Sequence, residues 1–552
     1  MDTKAIAISS QFEEVVRQCR YLVDKTELMY ELMGTYPDEV TYITRPSGFG
    51  KTMNMRMMES FFDMRRDSAE LFSGLRISAH PEFCREWMNR YPVLLLSFGD
   101  VGGETYDVFF RALKKSLSAL CREHADLMER GMAEPGDVKT FEHLLSGKAD
   151  PSEVEKALQT IMRMMHAVYD RPVILLLDDY DVPLSRAEAT GNEELCMQVR
   201  KTIFGILRAA TKKNEHLKCA VVTGCLQFSG DSIFTEVQRF TVEDPKCSRY
   251  FGFLQDEVAG MLEALQLSDK LEKVKDLYGG YLIGDTELFC PGGVADYIAH
   301  MKKAGRKKYL PCHMSEGSER VLWKFVNPGR SDASAPVEAL LHGGTISEEI
   351  SQPLACVMLS DDRKNLWSAL LMGGCLTRAD KVSAGGSVRL RIPNAGIEDL
   401  FRDEVRARFE EKLDADAAAA FVTAMRQKNG QTASDMLTEI LSGSISYGHY
   451  AEAYYIDVLS GIFKSRGLML EATRGGGKKR AMLRVRDGAA QSVFRIALIL
   501  SERRTALMTD CNAVIRQAFD KTLKIKQAEG DEKALFCAIA FYAKRAYVKF
   551  MK

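Results

Sequence analysis

Short apolar runs punctuate the first half of the chain, and longer mixed stretches separate them. Residues 40–44 read VTYIT, 92–98 read PVLLLSF, 172–181 read PVILLLDDYD and 217–224 read LKCAVVTG. Each is bounded by polar or turn-forming residues and is strand-length, so each predicts a buried strand. Continuous apolarity, rather than alternation, marks strands covered on both faces. The stretch MNMRMMESFFDM that starts at Met53 has a different period, with Met55, Met58, Phe61 and Phe62 on one helical face. Strand–helix alternation of this kind predicts an α/β fold built on a parallel sheet. Later, KVSAGGSVRLRIPN (381–394) predicts a hairpin around Ala-Gly-Gly, with Pro393 ending its second strand.

Composition narrows the class. Length 552 implies about three or four domains. Apolar residues at 46% and charged residues at 27% are ordinary for soluble globular protein. The 13 cysteines form no Cys-x-x-Cys pair, which argues against a zinc ribbon or thioredoxin-type site and fits a reduced cytoplasm. The opening MDTKAIAISSQFEEVV meets charge too early for a secretory signal, and no apolar run reaches the ~18 residues of a membrane span. Net charge is −1, which excludes a polyanion binder by bulk charge. Residues 431–552 nevertheless hold 20 Lys/Arg against 12 Asp/Glu, which predicts a separate C-terminal domain with either some anion affinity or merely a basic solvated surface.

The candidate chemistry lies at the strand ends. Arg45, Pro46, Ser47, Gly48, Phe49, Gly50, Lys51 and Thr52 join the first strand to the helical stretch. Gly50-Lys51-Thr52 is the back half of a phosphate-binding loop, in which backbone N–H groups wrap phosphate at a helix N-terminus. Lys51 would reach the terminal phosphates and Thr52 would hold Mg²⁺. Arg45 stands where the strict pattern has its first glycine. Asp178 ends the most apolar strand, where a Mg²⁺ partner is needed. Asp179 follows at the position that orients or deprotonates an attacking water, one methylene shorter than the usual Glu. Thr223 ends the next strand as a sensor of the γ-phosphate. The ligand expected from this set is ATP with Mg²⁺.

The segments YLVDKTELMYELM (21–33), TRPSGFGKT (44–52), LLLDDYDVPL (175–184), VVTGCLQFSGDSIF (221–234) and SRYFGFLQDEV (248–258) together resemble the bacterial AAA-ATPase-like family. That family itself has arginine at the position of Arg45. Ser47 and Gly48 replace its paired arginines, and Asp179 replaces its Glu. The resemblance implies an N-terminal P-loop domain over 1–255 and a mainly helical lid and linker with a hairpin over 256–395. LYGGYLIGDTELFCPGGVADYI (277–298) and LWSALLMGGCLT (366–377) resemble its lid segments, and their aromatics are expected to pack in a core. Arg239 and Arg249 are positional candidates for an arginine finger.

For 396–552 the resemblance implies a restriction-endonuclease-like domain of the PD-(D/E)XK type. TRGGGKKRAMLRV (473–485) and VFRIALIL (493–500) match its catalytic strands, NAVIRQAF (512–519) the following helix, and LFCAIAFYAKRAYVKF (535–550) its last strand pair. The alignment puts Met482, Ala497 and Ile499 at the catalytic Asp, Glu and Lys positions, so nuclease activity is expected to be absent. Glu452 and Glu471 are nearby acids without a partner set. Arg474, Lys478, Lys479 and Arg480 form a basic, glycine-rich loop that could grip nucleic acid. Self-association or a protein partner is an equal alternative. Two functions follow: a slow Mg²⁺-dependent ATPase carrying a pseudonuclease domain, or a nucleotide-sensing interaction protein that hydrolyses little.

Overall fold

The computed structural model describes residues 11–18, 21–35, 40–228, 237–302, 334–350, 363–381, 387–474, 480–488, 492–525 and 534–551. The four apolar runs form β1 (Val40–Thr44), β2 (Val93–Ser97), β3 (Val173–Asp178) and β4 (Leu217–Gly224). With β5 (Gln238–Phe240) they make a five-stranded parallel sheet in the order β2-β3-β4-β1-β5. Every residue of β3 is buried, as an interior position in a sheet covered on both faces requires. β5 escapes the apolar pattern because it has three residues and buries only Phe240. Since β4 lies between β1 and β3, three strand ends meet: Thr44 registers with Gly224 and Leu177 with Val222.

The helix Lys51–Phe62 follows β1 directly and buries Met55, Met58, Phe61 and Phe62. These pack with Leu28, Met29, Trp87, Ile174 and Phe251 in one core. At about 1.5–3 kcal/mol per buried side chain, this face holds the loop before it firmly on the sheet.

Downstream, the helices Gln255–Ala264, Leu271–Tyr278, Pro291–Lys302 and Arg363–Met372 alternate with short strands. β6 (Tyr281–Ile283) and β7 (Thr286–Leu288) make a two-stranded antiparallel pair. β8 (Ile346–Glu349), β9 (Thr377–Arg378) and β10 (Ser387–Arg391) form a three-stranded sheet in the order β8-β10-β9. Tyr278, Tyr281, Phe289 and Tyr297 are buried, as expected of core aromatics. The second arm of the expected hairpin is β10. Its described partner β9 lies upstream of the expected first arm, and the turn residues 384–386 lie outside the described residues.

The chain divides into two compact units, residues 1–324 with 345–398 and residues 325–344 with 399–552. The second unit contains a five-stranded mixed sheet, β11 (Met469–Arg474), β12 (Arg480–Asp487), β13 (Ser492–Leu500), β14 (Ala534–Tyr542) and β15 (Arg545–Phe550). Neighbours are antiparallel except β13 and β14, which are parallel and joined through the helix Leu507–Ile525. Backbone N–H groups of Ala546 and Val548 in β15 donate to the hydroxyls of Thr438 and Ser434 at 3.1 and 2.8 Å. Two hydroxyls one helical turn apart thereby cap an edge that would otherwise be free to pair. No described helix is long and apolar enough to cross a membrane.

Candidate nucleotide site

The loop after β1 is shaped by two glycines. Arg45 N–H still donates to Gly224 O at 3.0 Å, so its backbone continues the pairing with β4. Gly48 and Gly50 then have φ of 78° and 82°, a region that L side chains rarely adopt. A Cβ on Gly48 would also lie 3.1 Å from Cys290 Sγ. The helix starts at Lys51, which leaves its N-terminal N–H groups beside the loop. Gly292 N–H, in the first turn of the helix Pro291–Lys302, holds the loop from outside by donating to Gly48 O at 3.0 Å.

Lys51 is buried, and its Nζ lies 3.2 Å from the carbonyls of Arg45 and Pro46 and 3.1 Å from Cys225 Sγ. Burial opposes its charge, but the Cys225 sulfur, Asp179 and Asp181 offset this and hold its pKa above the ordinary value. Cys225 is itself a thiol at neutral pH, its pKa pushed up to about 12 by burial. The two carboxylates therefore carry the electrostatics. Cys225 follows Thr223-Gly224 at the end of β4, and sequence reasoning did not single it out.

Asp178 joins the expected residues. Thr52 Oγ1 donates to its Oδ2 and Thr223 Oγ1 to its Oδ1, both at 2.6 Å. Asp179 has φ 54°. Burial raises its pKa to about 6; Lys51 and Arg186 pull it down while Asp178 and Asp181 push it up. The next two residues are structural ties. Tyr180 OH donates to Leu226 O at 3.0 Å, and Asp181 Oδ2 accepts Leu226 N–H at 2.8 Å. Gly224 makes room for them, since a Cβ there would be 2.5 Å from Asp181 Oδ1. The Asp-Asp-Tyr-Asp run thus presents two carboxylates to the site and uses two residues to clamp β3 to β4.

Arg45 joins the site only through its carbonyl. Its fully buried guanidinium donates through Nη1 to the carbonyls of Phe240 and Thr241 at 2.9 and 2.7 Å and lies over the Phe251 ring. Burial lowers its pKa to about 10. Pro46 packs against Gly374 and Phe49 edge-on against Tyr281, so these loop side chains also serve packing.

Ser47–Asn54 and Asp179 line one end of a cavity of about 400 Å³. Tyr21, Leu22, Val23, Tyr250, Phe253 and Met261 line more of it. That volume suits a small-molecule ligand, with a phosphate-loop end and an apolar end. Arg239 and Arg249 are both exposed, and the Arg249 guanidinium lies 5.9 Å from the Tyr250 ring.

Residues 5–234 match the AAA-ATPase-like family model, described as Predicted AAA-ATPase. That part of the chain is similar to an AAA-ATPase-like domain. Among solved structures, the Walker-type ATPase of Pyrococcus abyssi is similar at 11% identity and a TM-score of 0.35, over 72% of this chain and 99% of that one. No curated protein matches.

The likeness to AAA-ATPase-like domains implies Mg²⁺, and the residues fit it. Thr52 and Asp178 offer hard oxygens in hydrogen-bond contact, as Mg²⁺ prefers. No cluster of three or more His, Cys, Asp or Glu able to hold a metal occurs among the described residues.

In the second unit, Met482 registers with Ala497 and Arg480 with Ile499. Ala497 and Ile499 are buried with Leu507, Cys511, Val514, Ala538 and Ala540, and Met482 packs against this cluster. Arg474 ends β11 and Arg480 starts β12; Lys478 and Lys479 lie outside the described residues. Glu471 pairs with Arg486 at 3.2 Å, and Glu452 starts the helix Glu452–Ser465.

Proposed function

We propose that the protein binds Mg²⁺–ATP at Ser47–Thr52 and hydrolyses it slowly. The observation that carries this reading is the pair of 2.6 Å bonds by which Thr52 and Thr223 meet on Asp178. Asp178 and Thr223 come from the ends of β3 and β4 and Thr52 from the first turn of the helix after β1, and a phosphate loop has its metal and terminal phosphate at such a meeting point. Mg²⁺, when bound, would neutralise phosphate charge beside Thr52 and Asp178. Lys51 would turn from the Arg45 and Pro46 carbonyls toward phosphate oxygens. Asp179, its pKa raised to about 6, is ionised yet basic enough near neutral pH to draw a proton from water. Its short side chain limits how well it reaches that water, and we attribute slow turnover to this.

The second unit, in this reading, is a nuclease-like domain that has lost its chemistry. The run of helix Glu452–Ser465, strands β11–β13, helix Leu507–Ile525 and strand β14 supports it, as does the apolar cluster around Ala497 and Ile499. Arg474, Lys478, Lys479 and Arg480 would contact nucleic acid weakly and without sequence preference. The second reading is an interaction protein that binds ATP in a cytoplasmic setting and serves through self-association or a protein partner. The burial of the former catalytic positions favours it for this unit. Phosphate release over hours by the full chain, with Lys51→Ala as control, separates the two: release lost in the variant supports the ATPase, and equal release refutes it.

A further inference from the structure

The segment ahead of the first sheet is tied down on both sides, and the ties alternate along the chain. Thr26 donates from its N–H and its hydroxyl to Asp24 Oδ1 at 2.9 and 2.7 Å. Asp24 Oδ2 accepts Arg76 N–H at 2.6 Å, and Thr26 Oγ1 accepts Ile77 N–H at 3.0 Å. Asp24 and Thr26 therefore fasten the segment to residues 76–77. Lys25, between them, reaches a different region, 224 to 232 residues away. Its Nζ donates at 2.7 Å to Arg249 O and to both Glu257 carboxylate oxygens.

Glu257 is fixed in turn. Its Oε2 accepts Leu254 N–H at 2.8 Å, in the first turn of the helix Gln255–Ala264. The Lys25 and Glu257 side chains are only 11% and 10% exposed, so water weakens this pair far less than a surface one. Burial draws the Lys25 pKa down against the pull of Glu257.

This tie belongs to the cavity. Tyr21, Leu22, Val23 and Lys25 line it from the N-terminal segment, and Tyr250, Gly252, Phe253 and Met261 line it from residues around Glu257. Gly260 lets the first wall close on the second, because a Cβ there would be 2.7 Å from the Tyr21 hydroxyl. The phosphate-loop lining comes from neither wall. We propose that Lys25 is a positioning residue for the nucleotide: by joining the two walls through Glu257 and the Arg249 carbonyl, it fixes the slot that takes base and ribose.

The proposal rests on the nucleotide reading above and deepens it by dividing the ligand. A wall-setting residue governs the part of the ligand that the walls touch. Lys25 should therefore matter for ATP and not for a bare phosphate chain, whereas Lys51 should matter for both.

The test measures binding of ATP and of inorganic tripolyphosphate, each with Mg²⁺, to the full chain by calorimetry. Lys25→Met should weaken ATP by about tenfold, the scale of an ordering cost moved onto the ligand, and leave tripolyphosphate unchanged. Lys51→Ala should weaken both. Glu257→Gln should repeat the Lys25→Met pattern, and Lys25→Arg, which keeps donors for Glu257 and the Arg249 carbonyl, should recover ATP affinity. That recovery guards against reading a folding defect as a binding one. Equal loss of both ligands in a folded Lys25→Met chain overturns the inference, as does no loss of either. Wild-type protein that binds neither ligand overturns the nucleotide reading with it, an outcome distinct from the other two.

Discussion

Thr223 donates its hydroxyl to Asp178 at 2.6 Å across the β3–β4 boundary. Thr52 donates to the other carboxylate oxygen, so Asp178 accepts a hydroxyl on each side. Asp178→Ala removes the acceptor of two hydroxyls together with the carboxylate proposed to face Mg²⁺. Magnesium-dependent ATP turnover should vanish in this variant while the fold survives. Colorimetric phosphate release alongside circular dichroism checks both halves of the statement.

Lys51 is held by two loop carbonyls and a neutral thiol rather than by a tight ion pair. It can therefore leave for phosphate without breaking a direct ion pair. Lys51→Ala should weaken ATP binding by about 1–2 kcal/mol or more, the scale of a lost charge-assisted hydrogen bond. Equal calorimetric affinities for wild type and variant would place the nucleotide elsewhere.

Asp179 sits at φ 54° with a carboxyl pKa raised to about 6. If its reach limits turnover, Asp179→Glu should raise the rate and Asp179→Asn should abolish it. Wild-type turnover should stay below about 1 s⁻¹, the slow end of ordinary enzyme rates. A brisk wild-type rate, or a Glu variant slower than wild type, would contradict the assignment.

Away from the site, His124 gives a pH signature. Burial, and then the charge of Arg65, lowers its pKa to about 4, against an ordinary value near 6.5. Between these values the unfolded chain binds a proton that the folded chain does not. The His124 contribution is thus unchanged above about pH 6.5 and becomes destabilising as pH falls toward about 4, by up to roughly 1.4 kcal/mol per unit. His124→Gln should remove that part of the acid sensitivity. Urea melts of both proteins from pH 7 to pH 4 show it as a narrowing stability difference.

The parallel sheet was readable because its main strands are continuous apolar runs, which few other structures produce. β5 was not, since three residues with one buried side chain make no pattern. Lys51, Thr52, Asp178 and Thr223 could be named because each closes or follows such a run. Arg45 shows the limit of that reasoning. A cation in a phosphate loop looks like a phosphate ligand, yet its long side chain reaches back to the carbonyls at the end of β5. Ties such as Lys25–Glu257 join residues 232 apart, and no local period records them. The buried Arg45 also makes its own forecast. Arg45→Met should destabilise the chain without nucleotide by about 1–3 kcal/mol, the cost of leaving buried carbonyls unpaired, whereas a pure phosphate ligand would lower affinity alone.

The last expectation concerns cleavage by the second unit. Phosphodiester hydrolysis by a metal needs anionic ligands that concentrate Mg²⁺ and a group that activates water. Ala497 and Ile499 are buried among Leu507, Cys511 and Val514, with Met482 packed against them, and none of the three offers a ligand to a hard cation. The full chain should cut neither single- nor double-stranded nucleic acid with Mg²⁺ or Mn²⁺. Restoring the nominal set with Met482→Asp, Ala497→Glu and Ile499→Lys should not create a nuclease; it should place charges in an apolar cluster and destabilise the unit. If the basic loop binds nucleic acid, binding should weaken with salt and on changing Arg474, Lys478, Lys479 and Arg480 to Ala. Gel assays over a salt series read both effects. Cleavage by wild type that disappears with Glu452→Ala or Glu471→Ala would move the active site to those acids and overturn the account of a silent fold.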